Sequence, residues 1–378
     1  MCAATSAGYP RRGSPCGSPG ARVAAGMLPL SCRGRTLESK MPFRRKIAQK
    51  EVSPESLWAE VERKSSSAPS RLNGLLFSSG LGTAMSIVER AFGAPLRPDG
   101  TQIVTAEALT KDLLADLFER RSCALHIPGY CSKEVAANLS SWIMEKSNLE
   151  NWKVNVFRDG TPERADSDVS YGIGIPFGHA VKSRADFVRY FNEAAPLSRE
   201  IRAAAQGLAP LDRLRLDLDE AWPAGARVAR YKGLRRGLGL ARVMTPGGLF
   251  EGIAKTEGMV HVDTLPLQTR GAGRFSANVY LNVPEVGGEL AVYNVSPKSM
   301  EVLRNFSLMK HLMNFDPDAQ ELIRSRLPPP LMIKPQVGDL ILIDTSRPHA
   351  VRGFTEGYRA TIQCWIDYQA ENGLALYS

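Results

Sequence analysis

The sequence predicts an α+β protein in which helices come first and a core of short strands follows. Before about residue 222, apolar residues recur every three to four positions in several segments, which is typical of amphipathic helices. After that point, short apolar runs alternate with glycines and prolines, which is typical of strands and turns. Many short strands favour a sandwich, a barrel or a jelly roll, with the helices supporting one β core.

The predicted helices lie mainly in the first half of the chain. Ala106–Arg120 carries Leu109, Leu113 and Leu117 at helical spacing. Ser132–Lys146 begins with a serine that suits the N-cap position. The other predicted helices are Ser53–Lys64, Leu75–Phe92, Ala185–Gln206 and Leu208–Trp222. The last of these either continues the helix before it or forms a second one.

The predicted strands lie mainly in the second half. Phe275–Val283 alternates with a period of two, because Ser276, Asn278, Tyr280 and Asn282 are polar and the residues between them are apolar. One face of this strand can therefore pack against apolar neighbours while the other lines a polar cavity. The further predicted strands are Cys123–Ile127, Ala226–Arg230, Ala241–Met244, Met259–Leu265, Glu289–Val295, Asp339–Asp344 and Arg359–Tyr368.

We expect the chain to divide into three parts. Residues 1–40 form a basic disordered tail or a targeting segment, residues 41–105 a helical extension, and residues 106–378 the main domain, with its β core at about 226–370. A helical insertion at about 297–332, with helices at Ser299–Met313 and Asp318–Arg326, interrupts this core. Such an insertion forms a lid or substrate wall, or it serves as a buttress or a dimer contact.

Charge and composition exclude several classes of partner. The first 50 residues hold 10 of the 48 basic and one of the 39 acidic residues, so the net charge of +9 does not extend to the body of the protein. A nucleic-acid-binding face is therefore not expected. No segment has the roughly twenty apolar residues of a membrane span. The six cysteines form no Cys-x-x-Cys pair, which suits a reducing compartment. We expect the cytoplasm, or an organelle if the N-terminus is a transit peptide.

One histidine-aspartate pair and a distant histidine predict a metal site. In an extended segment, His261 and Asp263 point the same way, and His349 can reach them from another strand. Two imidazoles and one carboxylate bind non-haem Fe(II) and leave coordination positions open. Arg359 offers a fixed charge for the carboxylate of a co-substrate. The chain has only five histidines, which gives this pattern weight.

Several short motifs, in order, resemble those of the 2-oxoglutarate/Fe(II)-dependent dioxygenase superfamily, in particular its prolyl-hydroxylase-like branch. The likeness extends from about Val260 to Asp367 and is looser to free-standing small-molecule hydroxylases and halogenases. After the His-Val-Asp segment, the motifs are Arg274 to Asn282, Gly287-Gly288-Glu289-Leu290, Pro335 to Asp339, His349-Ala350-Val351 and Arg359-Ala360-Thr361. Halogenases carry a small residue where Asp263 stands, so hydroxylation is the expected reaction.

The resemblance implies a fold, a cofactor and a co-substrate. The fold is a double-stranded β-helix, or jelly roll, with supporting helices. Fe(II) is implied at His261, Asp263 and His349. The distal carboxylate of 2-oxoglutarate is implied at Arg359, with Tyr280 and Thr361 as hydroxyl donors to it. Ascorbate is a second candidate cofactor. The implied reaction consumes O2 and 2-oxoglutarate, hydroxylates a substrate, and releases succinate and CO2.

Three functions remain open from the sequence. The first is hydroxylation of an unactivated C–H bond in a small molecule, and the second is a protein hydroxylase of the prolyl type. The third is a non-catalytic jelly-roll binding module. Loss of a metal ligand or of Arg359 would indicate such a module, and the sequence keeps all of these residues. Arg347 either reaches the substrate or pairs with Asp344. Substrate identity and oligomeric state are left undetermined by the sequence.

Overall fold

The structure describes most of the chain from residue 52 onward. The computed structural model describes residues 52–66, 101–146, 149–158, 161–247, 258–263, 272–295, 317–369 and 372–378. The helices within these ranges are α1 (Pro54–Ser66), α2 (Lys111–Phe118), α3 (Lys133–Glu145), α4 (Phe177–Ala180), α5 (Arg184–Ala205), α6 (Pro210–Ala221) and α7 (Pro317–Arg326). The predicted tail, the helix at Leu75–Phe92 and the helix at Ser299–Met313 lie outside the described residues.

Local sequence sets the helix ends. The hydroxyls of Thr110 and Ser132 accept hydrogen bonds from backbone N–H groups in the first turns of α2 and α3. The predicted helix Ala106–Arg120 is therefore shorter at its start, because Thr110 caps it. Gln206 ends α5 in a left-handed conformation, and Pro210 opens α6. Leu208–Trp222 thus contains a second helix, not a continuation of the first.

The strands form one large sheet and two small ones. They are β1 (Ile103–Thr105), β2 (Ala124–Ile127), β3 (Glu150–Arg158), β4 (Thr161–Ile173), β5 (Ala226–Val228), β6 (Arg230–Tyr231), β7 (Leu234–Arg235), β8 (Leu240–Met244), β9 (Ala272–Asn282), β10 (Leu290–Val292), β11 (Leu331–Ile333), β12 (Leu340–Asp344), β13 (His349–Val351), β14 (Arg359–Gln369) and β15 (Gly373–Tyr377). The large sheet has the order β1-β2-β12-β9-β14-β8-β4-β3, with β15 beside β14 and β5 beside β15. A large mixed sheet with supporting helices confirms the α+β prediction.

The second half of the chain alternates between two sheets. Strands β8, β9, β12 and β14 are antiparallel neighbours in the large sheet, in the order β12-β9-β14-β8. Strands β10, β11 and β13 form a small antiparallel sheet in the order β11-β10-β13. An isolated bridge from His261 to His349 continues this small sheet by one segment. The predicted strand Met259–Leu265 is thus reduced to this bridge within the described residues 258–263.

The two faces of β9 differ as predicted. Phe275, Ala277, Val279 and Leu281 are buried in the main hydrophobic core, which also receives residues from α2, α3, α5 and α6. Tyr280 points to the other side, where it is fully buried in a second cluster. The large sheet therefore separates a helix-covered core on one face from the functional residues on the other. This separation lets polar groups accumulate without disrupting the main core.

The first half contains a long β-hairpin that the sequence prediction missed. β3 and β4 pair antiparallel and join the large sheet through β8. The signals were the alternation of Trp152, Val154 and Val156 and the Asp159-Gly160 dipeptide, which favours hairpin turns. Within the part of the chain that the structure describes, no helix is both long and apolar enough to cross a membrane.

The motif before β12 has a structural role. Asp339 accepts hydrogen bonds from the backbone N–H groups of Gly129 and Gln336, at 2.9 and 2.8 Å. Its carboxylate also lies 2.7 Å from Nε2 of His126. Gly338 adopts φ +96°, and a Cβ there would come within 2.3 Å of the carbonyl oxygen of Cys131. His126 is therefore a satisfied histidine of the fold and takes no part in the metal cluster.

A buried histidine beside the hairpin makes stability depend on pH. Burial, and then the charges of Arg164, Arg242 and Lys182, lower the pKa of His179 to about 4, although Asp186 opposes the shift. The unfolded state, with a usual pKa near 6.5, then binds more protons between about pH 6.5 and pH 4. The stability that neutral His179 contributes is therefore fully present above pH 6.5, and it is lost as the pH falls through this window.

We expect His179 to account for roughly 1–3 kcal/mol of this acid-dependent loss. Denaturant unfolding of wild-type protein and of His179→Gln at pH 7 and pH 4.5 measures it. The variant should lose less stability than the wild type between the two pH values. An equal loss in both proteins would assign the pH dependence to other groups.

Candidate metal centre

Main-chain hydrogen bonds place the two histidines side by side. The N–H of His261 donates to the carbonyl of His349 at 3.0 Å, and the N–H of His349 donates back at 2.9 Å. This reciprocal pair is the hydrogen-bonded position of an antiparallel ladder, so both side chains leave the same face. The N–H of Asp263 donates to the carbonyl of Thr345 at 3.0 Å, which continues the pairing. Backbone geometry alone therefore brings the three predicted ligands together.

The ligand atoms of the three side chains converge. Nε2 of His261 lies 3.6 Å from Oδ1 of Asp263, and Nε2 of His349 lies 4.0 Å from Oδ2. One nitrogen or oxygen atom from each residue falls within 4.8 Å of the others. The indole N–H of Trp365 points to Oδ2 of Asp263 at 3.5 Å. This arrangement can hold one metal ion through two imidazoles and one carboxylate.

Hydrogen bonds orient both imidazoles for metal binding. Nδ1 of His261 lies 3.0 Å from the carbonyl oxygen of Met259, and Nδ1 of His349 lies 2.9 Å from that of Arg347. A carbonyl only accepts hydrogen bonds, so an imidazole in its neutral form carries its proton on Nδ1 in either position. The lone pair of each Nε2 then faces the cluster. Carbonyl partners of this kind commonly fix the ligands of protein metal sites.

The electrostatics of the cluster keep it in the protonation state that a metal requires. Burial, and after it the charge of His349, lowers the pKa of His261 to about 4, so this ring is neutral at pH 7. Burial would raise the pKa of Asp263, but the nearby charges of His349, His261 and Arg242 outweigh it and lower this pKa. A deprotonated carboxylate beside a neutral imidazole is ready to bind a cation.

Strand β14, whose Trp365 points to Asp263, also carries a buried arginine that lacks an acidic partner among the described residues. Arg359, in β14, donates from Nη2 to the hydroxyl of Tyr280 at 2.9 Å. Both side chains are buried, at 5 % and 0 % exposure. Among the described residues, no carboxylate forms an ion pair with Arg359, and its Nε has no hydrogen-bond partner. The hydroxyl of Thr361, two residues along the same strand, is also buried without a partner. Buried polar groups left unpaired are costly, so these three residues suit an anionic ligand.

Arg347 pairs with Asp344 and does not face the cluster. Its Nε lies 3.9 Å from Oδ2 of Asp344, and its Nη1 donates to Oδ1 of Asn294 at 3.1 Å. Asp344 also accepts from Nε of Arg120 at 3.1 Å. Of the two roles that the sequence left open, the structure favours the ion pair. Arg347 and Asp344 are fully buried, and their network fixes the chain just before His349.

The helical insertion holds the metal segment in place, a link that sequence reasoning missed. Gln320 of α7 accepts from the N–H of Val260 at 2.8 Å and donates to the carbonyl of Val260 at 3.0 Å. Arg324 of the same helix donates to the carbonyl of Gly258. The amide of Gln320 thus satisfies both main-chain groups next to His261, as a neighbouring strand would. The described part of the insertion therefore acts as a buttress.

Gln320→Ala is expected to weaken metal binding about tenfold, because it frees the segment that carries His261. Two buried main-chain groups also lose their partners, which should cost about 1–3 kcal/mol of unfolding free energy. Equilibrium dialysis with Fe(II) under anaerobic conditions and denaturant unfolding check the two effects. Glu321→Ala, at an exposed position of the same helix, is the matched control. Unchanged metal affinity in Gln320→Ala would show that the segment needs no support from α7.

Comparisons with known proteins give similarities to solved structures only. No protein-family model and no curated protein matches the sequence. A crystal structure described as an N-substituted L-amino acid dioxygenase from Burkholderia ambifaria shares 16% identity, covers 61% of this chain and 100% of its own, and gives a TM-score of 0.35. A Pseudomonas putida prolyl-4-hydroxylase shares 13% sequence identity, covers 69% of this chain and 96% of its own, and gives a TM-score of 0.31. HygX from Streptomyces hygroscopicus, solved with nickel and 2-oxoglutarate, shares 18% sequence identity, covers 69% of this chain and 87% of its own, and gives a TM-score of 0.33.

By their descriptions, the first of these proteins is a dioxygenase, the second is a hydroxylase and the third binds nickel and 2-oxoglutarate. Their TM-scores all lie below 0.5, so the assignment of a function depends on the residues of the site. The structure brings His261, Asp263 and His349 into one cluster. It places Arg359, Tyr280 and Thr361 together on the adjacent strands β9 and β14.

Proposed function

We propose that this protein is an Fe(II)- and 2-oxoglutarate-dependent dioxygenase that hydroxylates an unactivated C–H bond of a small molecule. The observation that carries the proposal is the convergence of His261, Asp263 and His349, together with a buried Arg359 to which the described residues offer no carboxylate. A metal cluster alone fits many functions. An open metal site next to an unpaired guanidinium fits a metal-chelating acid with a second, distal carboxylate.

The strand order supports a double-stranded β-helix as the core of this enzyme. In such a jelly roll, successive strands pass between two facing antiparallel sheets. From β8 onward, the chain visits the large sheet, the bridge at His261, the large sheet at β9 and the small sheet at β10 and β11. It then returns to the large sheet at β12, the small sheet at β13 and the large sheet at β14. We assign the two sheets as the walls of the jelly roll.

The residues present fit both the metal and the co-substrate. Fe(II) would be held by His261, Asp263 and His349, and the distal carboxylate of 2-oxoglutarate by Arg359. The hydroxyl groups of Tyr280 and Thr361 would complete the hydrogen bonds of that carboxylate. The unpartnered atoms of Arg359 and Thr361 are the groups that such a ligand would satisfy. When bound, the metal and 2-oxoglutarate supply dioxygen activation and the oxidising power for hydroxylation, with release of succinate and CO2.

The chain itself contributes position, charge and exclusion of water. The carbonyls of Met259 and Arg347 orient the imidazoles. The indole N–H of Trp365 points to Asp263 and helps to set the direction of the carboxylate. The buried sheet face around Tyr280 keeps water from the co-substrate, which strengthens its contact with Arg359. We also propose ascorbate as an accessory reductant, to be included in activity assays.

An anaerobic titration tests the proposal. Purified metal-free protein receives Fe(II) and then 2-oxoglutarate, and the visible charge-transfer band of an Fe(II)–2-oxo acid chelate is recorded. We expect a band that disappears in His349→Ala. A folded wild-type protein without this band would refute the proposal and favour the non-catalytic jelly-roll module. Product mass on peptides and on small acids, amines and alkaloids would then separate a small-molecule enzyme from a prolyl-type protein hydroxylase.

A further inference from the structure

Arg242 is a second arginine on the polar face of the large sheet, and the proposed function gives it no role. It lies in β8, opposite Thr361 of β14 on one side and Gly172 of β4 on the other. Its neighbours Ala241 and Val243 are buried in the helix-covered core. The alternation of the strand therefore directs Arg242 to the face that carries Thr361 and the metal cluster.

The contacts of Arg242 lead away from the co-substrate residues. Its Nε donates to the hydroxyl of Ser170 at 3.0 Å, and its guanidinium lies 4.4 Å from the ring centre of Trp152. Gly172 leaves space for this stacking, since a Cβ there would come within 3.3 Å of Cε3 of the same indole. Arg359 instead donates to the hydroxyl of Tyr280 in β9 and to the sulfur of Met244 in β8. The two guanidinium groups thus have different hydrogen-bond partners.

Among the described residues, no carboxylate forms an ion pair with Arg242. Burial, and then the charge of Arg359, lowers the pKa of Arg242 to about 10, although Asp263 opposes the shift. The adjacent ring of His179, 5.6 Å from Trp152, is neutral at pH 7 because its own pKa is lowered to about 4. The wall formed by Trp152, His179 and Arg242 therefore carries positive charge beside the metal cluster.

We propose that Arg242 binds a carboxylate of the primary substrate, so that the enzyme acts on small carboxylic acids. This inference rests on the proposed function, because it takes the metal cluster as the place of reaction. With Nε bonded to Ser170, the two terminal nitrogens remain as a fork that matches the two oxygens of a carboxylate. Stacking on Trp152 holds this fork in place before the substrate arrives.

This arrangement separates two anionic ligands that would otherwise compete. The distal carboxylate of 2-oxoglutarate is assigned to Arg359 and Tyr280, and the carboxylate of the substrate to Arg242. The charges of Arg359 and of Asp263 both act on Arg242, so the proposed substrate site lies near the co-substrate arginine and near a metal ligand. A neutral substrate would leave the guanidinium of Arg242 unpaired, which disfavours its binding.

A binding experiment without turnover tests this assignment. Zn(II) replaces Fe(II), 2-oxoglutarate is added to saturation, and isothermal titration calorimetry follows the binding of small carboxylic acids, each paired with its primary amide. The pairs include phenylacetate with phenylacetamide and N-acetylglycine with its amide. We expect at least one acid to bind about 10- to 100-fold more tightly than its amide. Arg242→Gln should abolish this preference, and Arg242→Lys should keep part of it.

Two further variants separate Arg242 from general anion binding. A separate cavity of about 600 Å³ does not include Arg242 and is lined by Arg215, Arg227, Arg230, Arg235 and Arg236 among its residues. Arg230→Gln removes one of these charges and should leave the acid preference unchanged. Trp152→Leu removes the stacking ring but no charge and should reduce the preference only a few-fold.

The outcomes also separate this inference from the proposed function. The Fe(II)–2-oxoglutarate band is recorded first on every variant, which reports folding and the metal site together. A normal band in wild-type protein that prefers no acid over its amide overturns the inference alone. It is also overturned if Arg242→Gln keeps the preference, or if that variant loses affinity for 2-oxoglutarate and not for the acid.

Discussion

His349→Ala is expected to abolish 2-oxoglutarate turnover by removing one of three metal ligands. We expect the affinity for Fe(II) to fall at least about 100-fold, since even residues that merely orient a ligand are worth 10- to 100-fold. The reciprocal hydrogen bonds between His261 and His349 use only the main chain, so the strand pairing survives the substitution. Equilibrium dialysis with Fe(II) and measurement of succinate, both on protein shown to be folded, check this result. His261→Ala should behave in the same way.

A matched histidine elsewhere in the sheet provides the control. His126 contacts Asp339 and lies in β2, where it takes no part in the metal cluster. His126→Gln should therefore keep both metal affinity and turnover, whatever it costs in stability. If His349→Ala bound Fe(II) as tightly as the wild type, the metal would have to be held elsewhere and the assignment of the cluster would be wrong.

The metal cluster was predictable because its geometry is local. His261 and Asp263 are two residues apart, so any extended backbone turns both side chains to one side. His349 and Arg359 could be selected by their place in an ordered set of motifs. The polar face of β9 was likewise visible as a simple alternation, and the structure buries its apolar residues under the helices.

The features that sequence reasoning missed depend on residues far apart in the chain. Gln320 supports Val260 across 60 residues, and no periodic pattern marks a single glutamine that replaces a strand partner. Arg242 gains its neighbours from the hairpin at β3 and β4, which the helical reading of the first half overlooked. The local sequence around a single arginine in a short strand does not indicate which residues lie next to its side chain. The packing of segments that are distant in the chain, and not local pattern, decides both cases.

The location of the insertion changes how its removal should be interpreted. A lid could be deleted without affecting metal binding. The clamp of Gln320 on Val260 means that deletion of α7 also loosens the segment that carries His261. Loss of turnover after such a deletion would therefore not identify a lid. The single substitution at Gln320 separates support of the metal segment from closure over the substrate.

Arg359→Gln is expected to raise the dissociation constant of 2-oxoglutarate about 100-fold, with the affinity for Fe(II) nearly unchanged. The substitution removes a buried, charge-assisted contact worth about 3 kcal/mol. The dissociation constant in Arg359→Lys should fall between those of the wild type and Arg359→Gln, because an ammonium keeps the charge but lacks the planar fork. Tyr280→Phe removes only one hydroxyl donor and should cost a few-fold. Titration of the charge-transfer band with 2-oxoglutarate, at saturating Fe(II), measures all three.

Arg359→Gln should lower the affinity for 2-oxoglutarate but should not lower the stability of the free protein, which gives a second and independent test. Arg359 is a buried cation for which the described residues offer no carboxylate, so the fold bears a desolvation cost that 2-oxoglutarate relieves. Arg359→Gln should therefore unfold at the same denaturant concentration as the wild type, or a higher one, when 2-oxoglutarate is absent. Added 2-oxoglutarate should then stabilise the wild type far more than the variant. Equal stabilisation of both proteins would place the co-substrate carboxylate on another cation, of which Arg242 is the nearest candidate on the same face.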